Sequence, residues 1–152
     1  MPKRDVFLSF TEETRKSFTD HLYYALNQKG INTFNEDREI VERGRDISQA
    51  TLEAIEKSRI LIVVLSKNYA SSTWCLDQLS KILTCKKDLG LRDVHPVFYH
   101  VDRTDVREQA GDFGNAFQQV FADSNMEKVN QWREVLTQVA NLPGWDLQNK
   151  YV

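Results

Sequence analysis

RILIVVLS, residues 59 to 66, contains six consecutive apolar positions, Ile60 to Leu65, with no polar residue among them. A strand with one wet face alternates apolar and polar side chains. A strand covered on both faces by helices reads as a continuous apolar run. This stretch is therefore read as the central strand of a parallel sheet, and the rest of the chain is placed around it.

Upstream, DVFLSF (5–10) is a short β-rich run, and from Thr14 to Lys29 the residues Phe18, Leu22 and Leu26 recur on one helical face before Gly30 stops the helix. INTF (31–34) reads as a second short strand, and NEDREIVERGRD (35–46) as an exposed charged loop without a clean period. Ser48 suits an N-cap for a helix running to about Lys57, with Leu52 and Ile55 inward. Downstream, Ser72 suits the cap of a helix whose Cys75, Leu79 and Ile82 face the core, and VHPVFYHV (94–101) is another buried strand. A broken region follows, then a helix near Phe113 to Ala122. A stronger helix runs from Glu127 to Ala140, with Val129, Trp132, Leu136 and Val139 on one face. Pro143 and Gly144 end it, and Trp145 to Leu147 is expected to add a last short strand. Alternating β and α units of this size imply a parallel sheet between helices, joined by right-handed crossovers.

The 152 residues are expected to form one domain, with a polar end at 148–152. Twenty basic and 22 acidic residues are interleaved and give a formal charge of −2, so no footprint for DNA or an anionic membrane is expected. The run Ile60 to Leu65 is too short to span a bilayer, and MPKRD lacks the apolar core of a signal peptide, so the expected location is cytoplasmic, with the nucleus open to it. On one helix Cys75 and Cys85 would lie roughly 15 Å apart, too far for a disulfide. His21, His95 and His100 show no ligand spacing relative to either thiol, and no metal site is expected.

An open parallel sheet binds ligands outside the carboxyl ends of its strands, here just after residues 10, 34, 66 and 101. There is neither GxGxxG nor GxxxxGK[ST] to cradle phosphates. A phosphoacceptor receiver module would use acids after the first strand, where Glu12 and Glu13 stand. It fails at the third strand, which ends in Ser66 and Lys67 where an acceptor Asp is needed.

DVFLSF with the acidic TEETR, the helix SFTDHLYYALNQKGINTF, ERGRDIS, RILIVVLSKNYASSTWCLDQL, PVFYHVD and QWREVLTQVANLPGW together resemble a TIR (Toll/interleukin-1 receptor) domain of the plant immune-receptor type, over residues 5 to about 147. The resemblance implies an α/β, flavodoxin-like three-layer sandwich with a central parallel sheet of about five strands. It also implies a domain that signals by associating with other TIR domains, and that in many members hydrolyses NAD+ or NADP+ to nicotinamide and ribosyl nucleotides without a further cofactor.

In that family the catalytic residue is the Glu of WCLDEL, and the matching position here is Gln78. Cleavage of the ribose–nicotinamide bond passes through an oxocarbenium-like state that a nearby carboxylate stabilises. Gln has nearly the same shape but no charge and no basicity at neutral pH. Asp77 is no substitute, because successive helical residues point about 100° apart. The implied nucleotide cleft is lined by Phe10, Thr11, Glu12 and Trp74. Thr11 and Glu12 stand where the family usually has Arg-Gly, which removes a phosphate-binding fork and adds bulk and negative charge. The competing readings are that Trp74 caps the core and that Thr11 to Glu13 start a helix at its dipole's positive end.

For association, the resemblance points to Asp20 and His21, at the place of a Ser-His pair in relatives, and to the loop residues Arg43, Gly44 and Arg45. The last helix, with Lys128, Arg133 and Glu134 read as outward, is a weaker third surface. The expected function is a signalling module of plant immunity, the N-terminal part of a receptor or a short TIR protein, with NAD+ hydrolysis lost or weak. The alternative is an active NAD+ nucleosidase.

Overall fold

The computed structural model describes residues 6–11, 14, 18–31, 33–34, 49–89, 93–122 and 124–147. In chain order these form β1 (Val6–Ser9), α1 (Asp20–Gln28), β2 (Thr33–Phe34), α2 (Gln49–Lys57), β3 (Ile60–Leu65), a 3-10 turn (Lys67–Tyr69), α3 (Thr73–Leu89), β4 (Asp93–Tyr99), α4 (Arg103–Glu108), α5 (Gly111–Gln118), α6 (Met126–Ala140) and β5 (Trp145–Leu147). The five strands pair in parallel in the order β2-β1-β3-β4-β5. The strand order reverses beside β1, whose neighbours are β2 on one side and β3 on the other. In an open α/β sheet the crevice outside such a reversal is where ligands bind.

Period-2 geometry explains the unbroken run in β3. Leu61, Val63 and Leu65 belong to the larger core, with residues of α2, α3, α4, α5 and α6, while Ile60, Ile62 and Val64 belong to a smaller core on the other face. Among the described helices only α1 covers that second face, through Phe18, Leu22, Tyr23 and Leu26 beside it or within it, none fully buried. β1 splits the same way: Val6, Leu8 and Phe10 join the smaller core and Phe7 the larger.

Local signals account for several element ends. The Ser72 hydroxyl accepts from the Cys75 backbone N–H at 3.1 Å, capping α3 as the sequence indicates. Gly30 at φ 77° closes α1. The Asn125 side chain accepts from the Lys128 N–H and caps α6.

Three readings change. The stretch after residue 101 is not broken throughout but holds α4, six residues long, too short to show an amphipathic period. The helix expected over Phe113 to Ala122 runs from Gly111 to Gln118. In α2 Ile55 is buried, but Thr51 and Ala54 share its face and Leu52 is only half-buried, so the helix is rotated from the expected orientation. The loop 35–46, the Ser48 cap and the polar end from residue 148 lie outside the described residues. No described helix is long and apolar enough to cross a membrane.

Gly144 ties β5 to its neighbour. A Cβ there would lie 2.0 Å from the Pro96 carbonyl oxygen, which is backbone of β4 and unable to turn aside. Gly144→Ala is expected to cost about 1–3 kcal/mol, as overpacking of a close contact does, and urea denaturation beside the native chain measures it. An unchanged midpoint would mean that β5 yields without cost.

Candidate functional site

At the carboxyl end of β1, alternation turns Ser9 to the same side as Phe7, towards α3. On α3, Cys75, Gln78, Leu79 and Ile82 recur at helical spacing and are all buried, so Gln78 is a polar side chain set into the apolar stripe, 2% exposed. An amide in such a place needs a partner. The Ser9 hydroxyl donates to Gln78 Oε1 at 2.8 Å. Ser9 Oγ also lies 2.8 Å from the Tyr69 hydroxyl, which in turn lies 3.1 Å from the Cys75 carbonyl. The three residues come from β1, the 3-10 turn and α3, and all are buried.

The surrounding hydroxyls tie the turn after β1 to the end of β3. Thr11 Oγ1 is 3.1 Å from Ser66 Oγ, Thr14 Oγ1 donates to the Thr11 carbonyl, and the Thr14 and Thr19 hydroxyls are 2.9 Å apart. Cys75 Sγ points to the Phe10 carbonyl at 3.6 Å. Burial pushes the Tyr69 phenol well above its ordinary range, and the nearby Cys75 raises it further, against an opposing pull from the Ser9 hydrogen bond. Tyr69 is therefore a protonated phenol at neutral pH.

Of the residues singled out in the sequence, Gln78, Thr11 and the Phe10 carbonyl take part in these contacts. Glu12, Arg43, Gly44 and Arg45 lie outside the described residues. Trp74 packs in the larger core and keeps 8% of its surface, so its core role is visible and little of its ring is open. Asp77 does point elsewhere: its carboxylate accepts from the Trp132 indole N–H at 3.1 Å and lies 3.3 Å from Lys128 Nζ.

Neither Ser9 nor Tyr69 was singled out in the sequence. The signal for Ser9 is a hydroxyl interrupting the apolar face of VFLSF. Tyr69 sits in a turn with no period to betray it.

On the proposed association surfaces, His21 is exposed and Asp20 half-buried on α1, with Tyr24, 64% exposed, one turn along. Tyr24 was also missed, although its spacing from Asp20 and His21 places it on their side of the helix. On α6, Glu134 is exposed, but Arg133 is not the free outward cation expected. Its guanidinium lies over the Phe117 and Phe121 rings, at 5.8 and 5.1 Å.

Beyond β3 and β4 a cavity of about 300 Å³ is lined by Lys67, His100, Val101, Asp102, Asp105, Asp112 and Phe113. His100 is held at φ 57° with its backbone N–H on the Leu147 carbonyl, 2.8 Å away. Three carboxylates against one ammonium make this cavity unfavourable for a polyanion. Among the described residues, no cluster of His, Cys, Asp and Glu has the geometry to hold a metal ion.

Comparison with known proteins gives a consistent picture. A family model described as TIR domain matches residues 3–152. Disease resistance protein RPV1 of Vitis rotundifolia is 53% identical over 144 residues, which is 94% of this chain and 10% of that protein. TMV resistance protein N of Nicotiana glutinosa is 46% identical over 143 residues, 92% of this chain and 12% of that one. The chain thus spans only about a tenth of the curated relatives it matches. Among solved structures, the TIR domains of the activated Roq1 resistosome directly recognizing the pathogen effector XopQ superpose with a TM-score of 0.87 at 50% identity, covering 97% of this chain and 90% of that one.

The Asp77 contact yields a test. Trp132 is 1% exposed, so removing the acceptor of its indole N–H leaves a buried donor unsatisfied. Asp77→Ala should cost about 1–3 kcal/mol in chemical denaturation. A loss below a few tenths would show that the indole N–H finds another acceptor.

Proposed function

Because this chain belongs to the TIR domain family, we propose that it is a signalling module of plant innate immunity, acting by association with other TIR domains, whose nucleotide cleft binds without efficient hydrolysis. The observation that carries the second part is Gln78. A neutral amide stands where the family's mechanism needs a carboxylate, and its Oε1 is already engaged by Ser9. Losing a general acid or base typically costs on the order of 10²- to 10⁴-fold in rate. Asp77, the nearest carboxylate along the helix, is committed to Trp132 and Lys128.

Thr11 supports the same reading. Its hydroxyl is taken by Ser66, and it is 6% exposed, so it offers no phosphate fork at the rim. The proposed ligand is NAD+ or NADP+, bound through the crevice outside β1 and β3. The association surface is the exposed side of α1 around Asp20, His21 and Tyr24, together with the loop holding Arg43, Gly44 and Arg45.

Two outcomes are expected. Nicotinamide release from NAD+ by the concentrated native chain should stay at background, and Gln78→Glu should raise it by about 10²-fold or more. Clear turnover by the native chain would instead identify an active nucleosidase drawing its charge from another group. Mixed with a catalytically active TIR domain, the native chain should reduce nicotinamide release in proportion to its share, by diluting active sites in the assembly. Unchanged release at excess native chain would count against co-assembly.

A further inference from the structure

The buried cluster centres on the Ser9 hydroxyl. Ser9 has one hydroxyl proton and gives it to Gln78 Oε1. The Tyr69 hydroxyl donates to the Cys75 carbonyl at 3.1 Å, and its oxygen lies 2.8 Å from Ser9 Oγ, on the other side of the hydroxyl that serves Gln78. Burial keeps the phenol un-ionised, so its proton is available to that carbonyl. Ser9 is thus held between the Tyr69 hydroxyl and the side chain at position 78, and all three residues are buried.

We propose that Ser9 and Tyr69 are positioning residues for the side chain at 78: Ser9 holds one arm of it against β1 by a hydrogen bond, Tyr69 fixes the Ser9 hydroxyl from its other side, and the other arm is left to a ligand. For Gln78 the arm that Ser9 does not engage is Nε2. The native chain therefore offers a ligand donors only, and the group it selects is an acceptor oxygen, such as that of a ribose hydroxyl, a carbonyl or a phosphate. A carboxyl at 78 would receive the same Ser9 proton on its inner oxygen. That donor favours the ionised form against the burial that opposes it. The chain thus retains surroundings that suit an acid at a position where it carries an amide.

The titratable groups packed around this arm, among the described residues, are Tyr69 on the 3-10 turn and Cys75 one turn earlier on α3. Asp77 is turned to α6. The proposal stands on this geometry and needs neither nucleotide binding nor catalysis, so it can fail independently of the functional reading above.

The test is a carbon-13 NMR titration of the carboxyl introduced by Gln78→Glu, alone and combined with Ser9→Ala or Tyr69→Phe. Hydrogen bonds to charged groups contribute about 1.5–3 kcal/mol, so Ser9→Ala should raise the pKa of that carboxyl by roughly one unit or more. Tyr69→Phe, which keeps the ring and removes only the hydroxyl that fixes Ser9, should shift it by less. A packing role alone would leave the pKa in place. An unchanged value in the Ser9→Ala background overturns the proposal, and if that variant does not fold, an unchanged value with Tyr69→Phe does so.

Discussion

Everything in this molecule is arranged around keeping β3 dry on both sides. A strand whose successive side chains point to opposite faces, and are all apolar, can be stable only between two hydrophobic layers. Its backbone groups must also be satisfied by neighbouring strands rather than by water. β1 and β4 supply the hydrogen bonds, in register over Val6 to Ser9 and Asp93 to Phe98. The helices supply the layers, and they do so unequally: α2, α3, α4, α5 and α6 contribute buried residues to one face, while α1 among the described helices covers the other with partly buried ones.

The polar cluster at Ser9, Tyr69 and Gln78 is the exception to this dryness, and its placement follows from topology. The end of β1 is where the strand order reverses, the place outside which open α/β sheets bind ligands. Inside a low-dielectric layer an unmatched amide or hydroxyl is costly, whereas a satisfied network is rigid and specific. Each member of the cluster holds another in a defined orientation. The same feature separates Gln78 from Asp77: adjacent in sequence, one faces β1 and the other α6, so a residue's neighbour in the chain says little about its role here.

The sequence revealed the architecture well where periodicity was strong. The unbroken Ile60 to Leu65, the heptad-like face of Met126 to Ala140 and the Gly30 and Ser72 end signals all have one physical meaning each. It revealed less where elements are short or tertiary contacts decide. α4 has too few residues to show a face, and α2 is rotated because Thr51 packs inward with its hydroxyl buried. Arg133 reads as a solvated cation in sequence, yet its guanidinium lies on two phenyl rings, a contact created only when α5 and α6 meet. At the candidate site, Gln78, Trp74, Phe10 and Thr11 were singled out through the motifs that surround them. Ser9 and Tyr69 were not, since a hydroxyl's partner lies in three dimensions and leaves no periodic trace.

The separation of the site's members along the chain bears on how it comes into being. Ser9 and Gln78 are 69 positions apart, and Ser9 and Tyr69 are 60 apart. No local segment can preassemble their hydrogen bonds; a long loop must close first, with its entropy already paid by packing of the sheet and α3. The site is therefore a product of the completed fold and not a seed of it. A ligand that binds only the assembled cluster draws on the stability of the whole domain, and by mass action returns it, so that for this protein occupancy and foldedness are linked equilibria.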